Sequence, residues 1–131
     1  MLELTQNPEI QERLYQEIKN VDIDNVKDNL AQFKLVDNIL KETQRAHSVV
    51  GVLQRKCTTP VSVLGYDFRA NTNFSVYIRA IHMDPNNYKD PQVFNPDRWD
   101  EKQMPNAFLP FGFGQHNCIG QKMANIEVKV F

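Results

Sequence analysis

The stretch FLPFGFGQHNCIGQK, Phe108 to Lys122, concentrates chemistry that the rest of this 131-residue chain lacks. Three of the five glycines (Gly112, Gly114, Gly120) and one of the two cysteines, Cys118, fall within nine residues. Glycines so spaced let a backbone bend sharply and approach something flat and bulky. Phe111 and Phe113 offer aromatic walls. Beyond Gly120, QKMANIEVKVF places Met123, Ile126 and Val130 on one face, so a helix starts there. A cysteine just ahead of a helix start meets the positive end of the helix dipole, which favours thiolate. A thiolate of this kind can act as nucleophile, redox thiol or metal ligand. A redox thiol usually has a nearby cysteine partner, and Cys57 is far upstream. A nucleophile wants a base, and His116 stands two residues away, although close loop positions rarely give the geometry. An inert cysteine in a glycine-rich turn is the plain alternative.

The elements that must position this loop are legible in outline. NPEIQERLYQEIKN (Asn7–Asn20) opens with a capping Asn and a first-turn Pro, and Ile10, Leu14 and Ile18 recur every four residues, so a helix is predicted. VDIDNVKDNLAQFK reads as a polar connection with a helical turn. Leu35, Val36, Ile39 and Leu40 mark a second helix over Leu35–His47. Val49 to Phe68 turns to β-branched alternation with breaks at Thr59-Pro60 and Gly65, which predicts short strands. NFSVYIRAIHMDP fits strand or helix. From Pro85 to Pro110, five of the seven prolines (Pro85, Pro91, Pro96, Pro105, Pro110) forbid long regular elements, so side chains must hold this segment.

Formal net charge is −1 and there is no basic run, which argues against nucleic acid as a partner. No signal peptide and no long apolar run is present. Two distant cysteines make no disulfide framework. The chain opens inside one helix-like pattern and stops inside another, so a segment of a larger protein is expected.

Phe111-Gly112-Phe113-Gly114-Gln115-His116-Asn117-Cys118-Ile119-Gly120 resembles the haem-binding loop of the cytochromes P-450, the haem-thiolate monooxygenases, at all four fixed positions of Phe-x-x-Gly-x-x-x-Cys-x-Gly. Three further features follow in that family's order. Glu42 and Arg45 in KETQR match its Glu-x-x-Arg helix, FNPDRW is similar to its meander motif with Arg98 as the arginine, and AIHMDP resembles the stretch before that meander. The resemblance covers nearly the whole chain and implies the C-terminal part of a mainly α fold with a small β region. Residues 1–131 would then be the truncated haem-binding portion of one domain.

By that resemblance Cys118 is the proximal axial ligand of the iron of haem b, and Gly112, Gly114, Gly120 and Phe111 shape its loop. Amide hydrogen bonds to the sulfur would tune it. His116 falls where most members carry arginine toward a haem propionate, and a neutral histidine can donate one hydrogen bond there. Arg55, in VVGVLQRKC, corresponds to a strand arginine that pairs with a propionate, for which a forked guanidinium is suited; an edge-strand surface charge is the ordinary alternative. Glu42, Arg45 and Arg98 would form a buried structural triad, in place of the surface ion pair that their spacing alone would give. Trp99 and Phe94 are expected to pack, His82 to be a hydrogen-bonded interior residue, and His47 to cap the helix before it. Cys57 reads as a small buried or edge residue. A zinc site from the two cysteines and three histidines lacks paired ligand spacing. Lys122 and Lys129 lie on the side that receives an electron donor in the family, although two solvated lysines are the favoured reading.

Departures from the family pattern are few. Arg69 and Asn71 stand in FRANT where the family usually has Pro and Gly, and Asn tolerates positive φ well. Ser48 stands where a proline commonly follows the histidine. The family's oxygen-activating helix is not in this sequence, so no catalytic residue is assigned. Two functions are compatible with these residues. One is the C-terminal part of a monooxygenase that puts one oxygen atom of O2 into a small apolar organic substrate, with electrons from a reduced nicotinamide cofactor through a reductase or ferredoxin. The other is a truncated, non-catalytic haem-binding or remnant module. Membrane attachment would come only through a missing N-terminal region. The endoplasmic reticulum membrane is expected for a eukaryotic microsomal parent, and the cytoplasm otherwise.

Overall fold

The computed structural model describes residues 2–21 and 32–130. The polar connection read in VDIDNVKDNLAQFK lies mostly outside the described residues. Helix α1 (Leu2–Gln6) runs into α2 (Pro8–Ile18), with Pro8 at the first turn as expected. Asn7 is the residue before α2, but its side chain does not cap it. Its Nδ2 instead donates to the carbonyl of Glu3, 2.8 Å away, because α1 ends directly upstream and leaves carbonyls to be satisfied.

Helix α3 (Lys34–Ala46) begins with no cap from its own flank. Glu17 of α2 supplies one: its carboxylate accepts the N–H groups of Leu35 and Val36 at 3.0 and 3.1 Å. A carboxylate there also meets the positive end of the α3 dipole. The face that α3 buries differs from the one its apolar periodicity marks. Asn38, Glu42 and Arg45 are buried, whereas Leu35, Val36, Ile39 and Leu40 are only half-buried. Asn38 Nδ2 donates to Asp100 at 2.8 Å.

Strands β1 (Val52–Lys56) and β4 (Asn73–Tyr77) pair antiparallel, with Arg55 opposite Phe74. Between them in sequence, β2 (Val61–Val63) and β3 (Tyr66–Phe68) form a separate hairpin. Its two-residue turn, Leu64-Gly65, has φ of +51° and +83°. Positive φ at both positions is the turn that matches strand twist. Asn71 adopts φ +69°, the conformation for which its residue type is suited. The ambiguous NFSVYIRAIHMDP is both elements in succession: β4 passes directly into the short helix α4 (Ile78–His82). Beyond it, one 3₁₀ turn, Pro96–Asp100, is the only regular element assigned before Gly114–His116, and α5 (Gln121–Val130) closes the described chain. Helices with two small antiparallel pairs give the mainly α, small β architecture expected.

The apolar core is small. Ile10, Ile78, Tyr88 and Ala107 are buried, and Asn38, Glu42, Arg45 and His82 are buried with them. Large apolar side chains on β2, β3 and α5 are exposed, among them Tyr66, Met123, Ile126 and Val128.

Candidate functional site

The interior is organised around one carboxylate. Glu42 and Arg45 are fully buried at 0% exposure, three residues apart on α3, and Arg98 reaches them from the Pro96–Asp100 turn. Glu42 Oε1 accepts from Arg45 Nη2 (2.8 Å), Arg98 Nε (3.0 Å) and the Asn95 backbone N–H (2.9 Å). Its Oε2 accepts from Arg45 Nε and from Trp99 Nε1, both at 3.0 Å. Burial alone would raise this carboxyl's pKa. The hydrogen bonds from Arg45 and Asn95 and the attraction of both guanidiniums outweigh burial and hold it below its ordinary value. Desolvation of the pair is thus met by complete hydrogen bonding.

The remaining guanidinium donors turn outward to the proline-rich segment. Arg45 Nη1 donates to the carbonyls of His82 (3.0 Å) and Pro91 (2.8 Å). Arg98 donates to the carbonyls of Lys89 (2.7 Å) and Val93 (3.0 Å). Tyr88 lies against the Arg45 guanidinium, 5.3 Å from ring centre, and its hydroxyl donates to the Ala107 carbonyl at 3.0 Å. Burial pushes that phenol up to about 12, so it stays a donor. Trp99 packs on Phe108 with ring centres 4.5 Å apart. The segment read as irregular is therefore tied to α3 by directional bonds from its side.

Phe108 leads into the cysteine loop. Gly112 has φ +83° and Gly114 φ +75°, so both need glycine for backbone reasons. Gly112 N–H donates to Leu109 O at 3.2 Å, and Cys118 N–H donates back to Phe111 O at 2.8 Å, closing the loop on itself. Cys118 is exposed and unoxidised. Its Sγ lies beside Gly120, where an added Cβ would stand 3.8 Å from the sulfur. Helix α5 starts at the next residue, so the sulfur stands at that helix's beginning. Along the same loop, Phe111 is half-buried, Phe113 is 66% exposed and Ile119 is 104% exposed.

The loop brings two of the predicted anchoring residues together. Arg55 on β1 donates through Nη2 to the His116 carbonyl at 3.4 Å and through Nη1 to Gln54 O at 2.9 Å. Both side chains are exposed, and among the described residues Arg55 has no carboxylate partner. Two expectations are corrected. No amide among the described residues donates to Cys118 Sγ, and the amides of Gly112, Asn117 and Cys118 itself are spent on carbonyls within the loop. Lys129 is not a solvated lysine: it is largely covered and pairs with Asp37 of α3 at 2.6 Å, whereas Lys122 is exposed. As expected, His47 caps the end of α3, through its backbone N–H on Thr43 O at 2.8 Å, while its ring pairs with Glu3 of α1. Trp99 packs as expected, on Phe108, and its half-buried indole also donates its N–H to Glu42. Cys57 is half-buried with its Sγ 3.0 Å from Arg69 O. Among the described residues no three of the His, Cys, Asp and Glu side chains gather as a metal site.

The chain belongs to the cytochrome P450 family. The profile of the family described as Cytochrome P450 matches residues 1–131. Cytochrome P450 4d2 of Drosophila melanogaster is 35% identical over 98% of this chain and 27% of its own length. Cytochrome P450 4F8 of Homo sapiens is 37% identical over 97% of this chain and 26% of its own. Among solved structures, retinoic acid-bound cyanobacterial CYP120A1 superposes with a TM-score of 0.88 at 30% identity, covering 98% of this chain and 31% of that one. The chain thus spans about a quarter of the length of these relatives. Among the described residues no helix is long and apolar enough to cross a membrane.

Proposed function

We propose that this chain is the C-terminal, haem-binding portion of a haem-thiolate monooxygenase, with Cys118 as the proximal ligand of the haem iron. The observation that carries the reading is the exposed thiol of Cys118, presented by a left-handed glycine loop whose rim also bears Arg55, His116 and apolar side chains. This donor set suits the group. A soft sulfur fits iron, Phe111, Phe113 and Ile119 fit a flat macrocycle, and a guanidinium without an acid partner fits a propionate. When bound, a haem with a thiolate ligand supplies the activation of O2, because sulfur donation favours O–O cleavage.

The chain's own residues position the ligand. Glu42, Arg45 and Arg98 hold the proline-rich segment, the loop follows from it, and Gly112 and Gly114 turn the sulfur outward. Arg55 and His116 orient the macrocycle through its carboxylates, Arg55 through its side chain and His116 through its ring N–H. For the whole enzyme we place one oxygen atom of O2 in a small apolar organic substrate, with electrons arriving from a reduced nicotinamide cofactor through a reductase or ferredoxin. The retinoic acid named for CYP120A1 is a largely apolar molecule and supports that substrate class.

A second reading, a haem-binding module without turnover, draws on the exposed apolar faces of α5 and the β2–β3 hairpin. A patch of that kind favours association over independent catalysis. One experiment addresses both. The chain is loaded with haem, reduced under CO and its absorption recorded, then assayed for substrate oxidation with a reductase. The red-shifted thiolate-type Soret band is expected for the wild type and its loss for Cys118→Ser. The same band from Cys118→Ser overturns the ligand assignment, and a band without turnover selects the second reading.

A further inference from the structure

His82 is fully buried, and its hydrogen bonds run to three separate parts of the chain. Its carbonyl accepts from Arg45 Nη1 at 3.0 Å, which ties it to the Glu42 cluster. Its Nδ1 lies 2.9 Å from Ser48 Oγ, just beyond the end of α3. Its Nε2 lies 2.9 Å from the backbone nitrogen of Leu109. A backbone N–H can only donate, so Nε2 must carry a lone pair and the ring proton sits on Nδ1, donated to Ser48. Leu109 in turn accepts the N–H of Gly112 at 3.2 Å, the first left-handed glycine of the cysteine loop. The Phe108 ring, 5.5 Å from the imidazole, covers the same junction.

We propose that His82 is a positioning residue for the cysteine loop: its Nε2, free of a proton while Nδ1–H is given to Ser48, anchors the Leu109 amide and so fixes the turn that presents Cys118. The link to ligation rests on Cys118 as haem ligand, whereas the anchoring does not. A protonated ring would turn an N–H toward the N–H of Leu109 and release the junction. The charged group facing the imidazole is Arg45 on α3, with Glu42 behind it; the loop side contributes only the Phe108 ring and the Leu109 backbone. Burial first, and then Arg45, hold the imidazole neutral down to about pH 4.

The haem-free chain gives the direct test. In its nitrogen NMR spectrum His82 should show the Nδ1–H tautomer with a midpoint well below the ordinary histidine value. An Nε2–H tautomer, or an ordinary midpoint, overturns the proposal without any variant. In His82→Leu the amide-exchange protection of Leu109 should fall roughly tenfold, the loss of one hydrogen bond at a buried group. In His82→Gln, whose amide oxygen can accept from Leu109, protection should return. Unchanged Leu109 protection in His82→Leu, or no recovery in His82→Gln, refutes the anchor. If His82→Leu does not fold, the wild-type tautomer and midpoint decide alone. In the haem-loaded chain under CO, the thiolate-type share of the spectrum should drop in His82→Leu and recover in His82→Gln. A wild type that takes no haem sinks the ligand reading while the Leu109 result still judges the anchor. A wild type with the thiolate band, and the same band in His82→Leu, sinks the link between anchor and ligation.

Discussion

Replacing Glu42 by glutamine removes one negative charge and little volume, so its effect isolates the electrostatics of the interior. The carboxylate accepts five hydrogen bonds, three on Oε1 and two on Oε2. A glutamine keeps one oxygen and gains an NH2. Its best orientation keeps the oxygen toward Arg45 Nη2, Arg98 Nε and the Asn95 N–H. The NH2 then faces Arg45 Nε and Trp99 Nε1, donor against donor. Two orphaned donors cost about 1–3 kcal/mol each, and a buried ion pair stripped of one partner costs about 3–5 kcal/mol. A destabilisation of about 4 kcal/mol is therefore expected against a typical folded stability of about 5–15 kcal/mol. With a urea slope of about 2 kcal/mol/M the unfolding midpoint falls by about 2 M. Trp99 is the sole tryptophan and bonds Glu42 directly, so its fluorescence reports the transition at the site itself. A midpoint shift under about 0.3 M with an unchanged slope would refute the reasoning. Acid provides a second check. The folded carboxyl is held below its ordinary 4.5, so its contribution is complete above that value and is lost as pH falls through the lower folded value. Glu42→Gln should abolish that part of the acid slope. The part due to His82 lies higher, between its ordinary 6.5 and its folded value of about 4, where the unfolded chain binds the proton and the folded chain does not. That part should survive in Glu42→Gln.

Two further outcomes use the same urea assay. Arg13→Ala breaks a two-point contact with Asp97 at 2.6 and 3.0 Å, but both side chains are half-exposed, so the loss should stay under about 1 kcal/mol and shrink in high salt; a loss as large as that of Glu42→Gln would contradict the contrast between buried and exposed pairs. Gly112→Ala meets Leu53 Cδ1 at an ordinary 3.5 Å but must keep φ +83°, so strain alone should cost about 1–3 kcal/mol and lower haem uptake; full stability and uptake in this variant would show that the loop does not need that conformation.

The sequence was informative where one residue's chemistry dominates. The proline-rich segment, the glycine loop and both main helices were legible because missing N–H groups, positive φ and helical spacing act locally. The spacing of Glu42 and Arg45 placed them on one face, but whether that face was exposed depended on Arg98, more than fifty residues on. Apolar periodicity on α3 pointed to Leu35, Val36, Ile39 and Leu40, whereas the structure buries Asn38, Glu42 and Arg45 most completely. Periodicity cannot detect a polar face buried by partners from elsewhere. The Glu17 cap on α3, the Lys129–Asp37 pair and the His82–Leu109 bond were hidden for the same reason: each joins residues far apart in sequence. NFSVYIRAIHMDP resisted assignment because strand and helix abut inside it with no breaker between them.

An ion cluster at the centre of so small a core needs a physical reason, since buried pairs can often be exchanged for apolar residues of equal volume without loss. The reason lies in the backbone from Pro85 to Pro110. Its five prolines carry carbonyls but no N–H groups, so the segment cannot satisfy itself by a regular ladder. Side chains must supply the donors, from α3 through Arg45 and from within the segment through Arg98, and a guanidinium offers five in one rigid fork. Arg45 and Arg98 bond carbonyls at His82, Lys89, Pro91 and Val93, and Glu42 bridges the two guanidiniums that do so. Apolar replacements would fill the volume and leave those carbonyls without donors. The same logic extends one step further along the chain. Where guanidinium reach ends, at Leu109, the orphan group is an N–H, and the structure meets it with an acceptor, the neutral imidazole of His82. Donors on one side and an acceptor on the other hold an irregular segment in a single conformation, and the glycine loop inherits its position from that.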